Sequence, residues 1–317
     1  MENSRYFNKI EILDDYTIKK SSTDKHKIKA EYLWFENDKD FYHPLVSSYK
    51  EEDNVASYLL EYIHTNTLAR YFLSGDINTK GIENIFDLLR WYCTREQADK
   101  IPCKDYTKML IQSMYKDKTY ERLAQTNIDL DKSYKINGFV SPTIREIIED
   151  CPVYINDNCI RNIHGDLCFS NILINSDIRL YDVKSDPKKY AYMMQVIDPR
   201  GYLPDGTFTN IGDVNYDVAK IAHSVIGRYD QIKNQGFYIR KDNEREYSCY
   251  ITTSHWQKKF EEVFLSTFKD FDYYNIMINL FFSMIPLHKD RQDHQKIMLI
   301  NAIRLYLERE KRLSECI

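Results

Sequence analysis

One segment constrains this chain more than any other: Ile163-His164-Gly165-Asp166-Leu167-Cys168-Phe169-Ser170-Asn171-Ile172-Leu173. It sets a carboxylate, Asp166, and a carboxamide, Asn171, on one loop just ahead of an apolar run. A second short apolar run, Val196-Ile197, leads into Asp198-Pro199-Arg200-Gly201. Alone, the tripeptide His-Gly-Asp reads as a surface turn in which the aspartate bonds its own backbone. Together with Asn171 and Asp198 it reads as a site for phosphoryl transfer. That chemistry needs a group to orient and deprotonate the attacking hydroxyl, and oxygen ligands for a Mg²⁺ ion bridging nucleotide phosphates. Asp166 fits the first requirement; Asn171 and Asp198 fit the second. An aspartate of ordinary pKa is a weak base, so its main service is orientation, with the proton accepted late.

The rest of the composition leaves room for such a site. The chain has 317 residues and a formal net charge of −4, with 43% hydrophobic and 29% charged residues. That length suits two lobes better than one small domain. The near balance of charge predicts no generic attraction to nucleic acid. Seven cysteines (Cys93, Cys103, Cys151, Cys159, Cys168, Cys249 and Cys316) show no C-x-x-C pair, so reduced thiols are expected rather than zinc or disulfides. The N-terminus has no apolar run of signal-peptide length, and the most apolar stretch, 276–285, is too short to span a bilayer. A soluble, cytoplasmic protein without membrane insertion is expected.

Along the chain, residues 6–22 read as a strand, a turn at Asp14-Asp15 and a second strand, with Tyr16 and Ile18 supplying half-buried alternation. A helix follows over KHKIKAEYLWFE, then a strand over residues 55–63. Residues 66–150 show helical spacing, and Pro142 is placed to open a further short helix. Residues 151–175 read strand, loop, strand; 213–229 and 255–313 return to helical periodicity. Residues 176–192 look like an inserted hairpin turning near Ser185-Asp186-Pro187, either decorating its lobe or reaching a cleft. The pattern is α+β.

HGDLCFSNIL and IDPRG resemble the catalytic loop and metal-binding motif of the aminoglycoside phosphotransferase and choline kinase superfamily. Gly212-Asp213-Val214-Asn215-Tyr216-Asp217-Val218-Ala219-Lys220 is similar to that superfamily's Y-D-x-A-K helix. The fuller string resembles a branch of predicted capsule and surface-polysaccharide kinases. The resemblance covers most of the chain and is most specific over 160–230. It implies a two-lobed protein-kinase-like fold, with a small β-rich lobe over 1–64, a hinge near 60–64, and a larger, mainly helical lobe over 65–317. It implies ATP and Mg²⁺ as cofactors, and a small-molecule acceptor such as a sugar, an amino alcohol or a related metabolite. A protein serine/threonine kinase-like enzyme and a non-catalytic nucleotide-binding scaffold are the alternatives.

A site of this kind needs a strand lysine for the phosphates and an acidic residue on the next helix to pair with it. Lys20 and Glu31 meet that description, with Lys19 the competitor to Lys20. Glu61, Tyr62 and Ile63 resemble the hinge, where backbone groups usually bond the adenine edge. Asp217 is expected to hold the catalytic loop through backbone bonds. Arg200, His223, Arg228, His288 and Asp290 are candidate substrate contacts, against ordinary ion pairing, helix packing or a solvated turn. The chain departs from the pattern in two ways besides the insertion: no glycine-rich loop joins the first strands, and Cys168 stands where the superfamily often has histidine.

Overall fold

The structure is a computed structural model and describes residues 8–38, 43–95, 101 and 104–315. Residues 6 and 7 of the expected first strand, and Cys103 and Cys316, lie outside the described residues. The chain opens with β1 (Asn8–Ile12), β2 (Thr17–Ser22), α1 (Lys25–Asn37), β3 (Val46–Glu51), β4 (Ala56–Glu61) and β5 (Asn66–Thr67). Helices follow as α2 (Leu68–Ser74), α3 (Thr79–Thr94), α4 (Lys104–Ser113) and α5 (Lys116–Leu123). The middle of the chain holds β6 (Ser133–Ile136), β7 (Phe139–Thr143), α6 (Ile144–Glu149), β8 (Ile160–Asn162), β9 (Ile172–Ile174), β10 (Met194–Val196) and β11 (Ile211–Asp213). It ends with α7 (Val214–Val225), α8 (Tyr229–Lys233), β12 (Phe237–Asn243), β13 (Glu246–Ile251), α9 (His255–Thr267), α10 (Tyr274–Met284) and α11 (Gln292–Glu315). The fold is α+β, with a sheet near the N-terminus and helices dominating the C-terminal part. Among the described residues no helix is long and apolar enough to cross a membrane.

Two compact units account for the chain: residues 1–101 with 158–217, and residues 102–157 with 218–317. The 64/65 division expected from the sequence falls inside the first unit. Residues 66 and 67 of β5 pair with β9, so chain just after that position is held in the first unit.

In the first unit, four antiparallel strands run in the order β1-β2-β4-β3. Helix α1 is nucleated by Asp24, whose carboxylate accepts from the Lys27 amide at 3.0 Å. The helix buries Ile28, Ala30, Glu31, Trp34 and Phe35, a stripe at three- and four-residue spacing. Tyr16 departs from the expected alternation: it lies at the turn before β2 and is 77% exposed. Helix α3 starts at an Asn78 cap and buries Ile82, Ile85, Phe86, Leu88, Leu89 and Tyr92.

Residues 176–192 form a run of 3-10 turns rather than a hairpin. Their flanks supply the pairing instead, β9 against β10, so the insertion is the long connection of that pair. It packs on α3, where the buried Asn84 amide donates to the carbonyls of Ile178 (2.7 Å) and Tyr181 (2.9 Å). A bonded buried amide fixes such a turn, since leaving those carbonyls unpaired costs about 1–3 kcal/mol each.

The second unit contains a sheet that helical spacing hides, in the order β12-β13-β6-β7. β6 and β7 are joined by Asn137-Gly138, both at positive φ (49° and 90°). A two-residue hairpin loop needs that left-handed backbone, and Asn-Gly tolerates it best. Pro142 lies within β7, and α6 opens two residues later with a capping box between Thr143 and Glu146. The proline's fixed φ suits an extended residue as well as a first helical one. No strand forms over residues 151–156.

Candidate active site

The site is built within the first unit, from the loop that follows β8 upward. β8 and β11 pair antiparallel, which brings the start of α7 under the loop that leaves β8. From there Asp217 accepts the backbone N–H of His164 at 2.7 Å and of Gly165 at 2.8 Å. Gly165 has φ +76°, and an added Cβ would stand 2.8 Å from the Arg200 Cβ, so a side chain is excluded on both counts. Burial raises the Asp217 carboxyl to about 7, against the lowering effect of those two amides.

His164 is fully buried. Its Nδ1 accepts the Asp166 amide at 3.2 Å, and its Nε2 faces the Ile197 carbonyl at 2.9 Å. A carbonyl only accepts, so Nε2 carries the proton and the ring is neutral. Burial lowers its pKa to about 4, more than the nearby Asp166 charge and the Ile197 bond restore. This imidazole therefore ties the Asp166 backbone to the strand end that carries Asp198.

The loop continues into a 3-10 turn over Phe169–Asn171. The Asn171 Nδ2 donates to the Asp166 carbonyl at 2.9 Å and approaches its carboxylate Oδ2 at 3.4 Å. The Asn171 carbonyl accepts the Ile197 amide at 3.0 Å, which sets Asn171 beside the residue preceding Asp198. Cys168 is buried, its Sγ 3.3 Å from the Ser170 hydroxyl.

Asp198 sits just beyond β10 at φ +60°, a left-handed conformation that costs a non-glycine residue roughly 1–3 kcal/mol. Its Oδ1 lies 2.5 Å from the Lys20 ammonium, which also pairs with Glu31 Oε2 at 2.6 Å. Lys20 is 2% exposed and Glu31 0%, whereas the Asp198 side chain keeps 39% exposure. Burial by itself would lower the Lys20 pKa, but the two carboxylates outweigh it and hold the ammonium charged. For Asp198, burial would raise the pKa, yet the Lys20 charge and hydrogen bond bring it below the usual carboxylate range.

Sequence reasoning missed one member of this cluster. Tyr58 on β4 lies directly opposite Lys20 in the ladder and donates its hydroxyl to Glu31 at 3.1 Å. A tyrosine on the buried face of a strand needs a partner for its hydroxyl, and that was the available signal.

Lys20, Glu31, Asp166, Asn171 and Asp198 are thus brought together, Lys20 and not Lys19 making the ion pairs. Arg200 lies at the edge of the group: its amide donates to the His164 carbonyl (2.9 Å), and its guanidinium stacks on Tyr216 and donates to that hydroxyl at 2.6 Å. Glu61 and Tyr62 spend their amides on the carbonyls of Leu45 (2.8 Å) and Tyr16 (2.7 Å), and the Ile63 carbonyl accepts from Thr65. The other candidates belong to the second unit. His223 is buried between Tyr229 and Phe281 (ring centroids 4.2 and 4.6 Å), and Arg228 is buried in an ion pair with Glu261. His288 is half-buried 5.7 Å from the His294 ring, and Asp290 is exposed. For His223 and Arg228 the structure shows helix packing and ion pairing, the ordinary roles weighed against substrate contact.

The donor set suits a hard divalent cation. Anchoring Asn171 by its Nδ2 turns the amide oxygen away from Asp166, and Asp198 keeps an exposed carboxylate edge; both present oxygen, as Mg²⁺ requires.

No family model matches the sequence, and no curated protein matches it. Similar solved structures include an aminoglycoside-3'-phosphotransferase of type VIII, 10% identical over 96% of both chains, with a TM-score of 0.42. Another is the aminoglycoside phosphotransferase APH(3'')-Id from Streptomyces rimosus in complex with ADP and streptomycin. It is 14% identical over 88% of this chain and 92% of that one, with a TM-score of 0.46. Likeness at this level supports neither an activity nor a ligand for this chain.

Proposed function

We propose that this chain is an ATP- and Mg²⁺-dependent phosphotransferase of protein-kinase-like, two-lobed fold that phosphorylates a hydroxyl of a small molecule. The observation that carries the reading is one cluster: a buried lysine held between Glu31 and Asp198, beside a loop that presents Asp166 and Asn171. Lys20 would hold nucleotide phosphates, with Glu31 and Tyr58 fixing its ammonium. Asp166 would orient the acceptor hydroxyl. The acceptor oxygen attacks the γ-phosphorus, the bond from that phosphorus to the β,γ-bridging oxygen breaks, ADP leaves, and the hydroxyl proton passes to Asp166. A bound Mg²⁺, held by Asn171 and Asp198, would supply charge neutralisation on the phosphates. His164 and Asp217 touch no reacting atom; they hold the loop. The acceptor class is a sugar, an amino alcohol or a related metabolite, and a role in capsule or surface-polysaccharide precursor synthesis is part of the proposal.

The test is an ATP-consumption screen of the purified protein against a metabolite library with Mg²⁺ present, alongside Asp166→Asn. Acceptor-dependent ADP release that disappears in the variant is expected. Turnover that survives the loss of Asp166 would refute the assignment.

A further inference from the structure

The segment that follows Asp198 does more than leave the site. Between Gly201 and Asn210 it folds into a small closed loop: the Leu203 amide donates to Thr207 (3.0 Å), Gly206 to Leu203 (2.9 Å) and Thr209 to Gly201 (3.0 Å). This loop is laid along α1 at four points. At Gly201 an added Cβ would stand 2.3 Å from the Ala30 carbonyl oxygen and 3.3 Å from the Trp34 Cβ. Asn210 donates its Nδ2 to the Trp34 carbonyl at 3.2 Å. The His26 ring stacks on Phe208 (4.7 Å, 21°) and meets Tyr202 edge-on, while its Nε2 donates to the Gly206 carbonyl at 2.9 Å. Lys29 lies over the Phe208 ring. On its inner face the same helix is fastened to the catalytic loop, where the buried Trp34 indole donates to the Ile163 carbonyl at 2.8 Å.

These contacts bracket Glu31. Ala30 is its neighbour in sequence, Trp34 lies about one turn on, and His26 lies about one and a half turns back. Glu31 reaches Lys20 at 2.6 Å from this helix, so where the helix is seated governs whether the pair forms. We infer that residues 201–210 form a clasp on α1, and that Gly201 and Trp34 are positioning residues that keep Glu31 on the Lys20 ammonium. Glycine is required at 201 because backbone approaches backbone there, and because its φ is +71°. The clasp's consequence for turnover rests on the function proposed above; its effect on the ion pair does not.

The experiment therefore reads the ion pair directly. Lys20 is buried and paired, so acetic anhydride should acylate it slowly in the protein without nucleotide, as followed by mass spectrometry. Gly201→Ala, checked for a cooperative melt, is expected to be labelled at Lys20 about tenfold faster, the change produced by a loss of roughly 1.4 kcal/mol in pairing. Trp34→Phe, which keeps a ring but drops the bond to Ile163, is expected to shift in the same direction. A folded Gly201→Ala protein with unchanged Lys20 labelling overturns the inference. If Gly201→Ala does not fold, His26→Ala decides: faster labelling supports the clasp and an unchanged rate overturns it. Binding of Mg-ADP is measured in parallel on the wild type; its absence would sink the proposed function and leave the labelling result standing.

Discussion

Replacing His164 with asparagine should change stability by an amount that depends on pH in a calculable way. The imidazole is fully buried, accepts the Asp166 amide and donates to Ile197, and its pKa lies near 4 against 6.5 for a free histidine. The folded pKa is depressed, so the unfolded chain binds a proton that the folded chain refuses. The wild type is then destabilised progressively as pH falls below 6.5, with the penalty complete below 4. With those two values the penalty is near zero at pH 7.5, about 0.8 kcal/mol at pH 6.0 and about 2.6 kcal/mol at pH 4.5. Asparagine keeps an acceptor for the Asp166 amide but loses the donor to Ile197 and the ring's packing, a loss of roughly 2–4 kcal/mol at neutral pH. The difference between wild type and variant should therefore shrink by about 2.6 kcal/mol on going from pH 7.5 to 4.5. Urea unfolding of both proteins at the three pH values measures it, and the comparison removes titrations that the two share. A difference that stays constant across that range would show that His164 is not held neutral, and the proton assignment on the loop would fail.

Asp166→Asn should lower kcat by about 10²–10⁴-fold, with Mg-ADP affinity within a factor of a few of wild type, by calorimetry and steady-state kinetics. Asp217→Asn should replace one acceptor with a donor facing the amides of His164 and Gly165. A loss of about 2–4 kcal/mol and a fall in melting temperature of several degrees are expected, seen by scanning calorimetry. Arg228→Ala should destabilise the second unit by about 1–3 kcal/mol, because Glu261 loses its buried partner while keeping some contact with water. Unchanged unfolding of that variant would show that the ion pair contributes nothing.

The strands and helices that place Lys20, Glu31 and Asp166 were legible because each rests on local chemistry: alternation in β2, a capped stripe in α1, turn residues in the loop. Lys20 was separable from Lys19 because alternation puts it on the same face as Ile18, and the ladder places it opposite Tyr58. What the sequence hid was contact across long separations. Tyr58 meets Glu31 only once β4 lies beside β2, and the loop at 201–210 meets α1 after some 170 intervening residues. The β6–β7 hairpin was missed for another reason. Its Asn-Gly signal was present, but helical spacing on both sides was allowed to run through it. The insertion at 176–192 departs from a hairpin because it is held against α3, partly by Asn84 about 95 residues upstream, rather than by pairing of its own.

The left-handed backbone at Asp198 narrows what can ever stand there. Apart from aspartate itself, asparagine and glycine tolerate such a torsion most readily, and both lack a negative charge. Random change at this codon is thus filtered first by shape and only afterwards by chemistry. A descendant without the proposed catalysis would keep the bend and surrender the anion, leaving Asn or Gly as a readable scar.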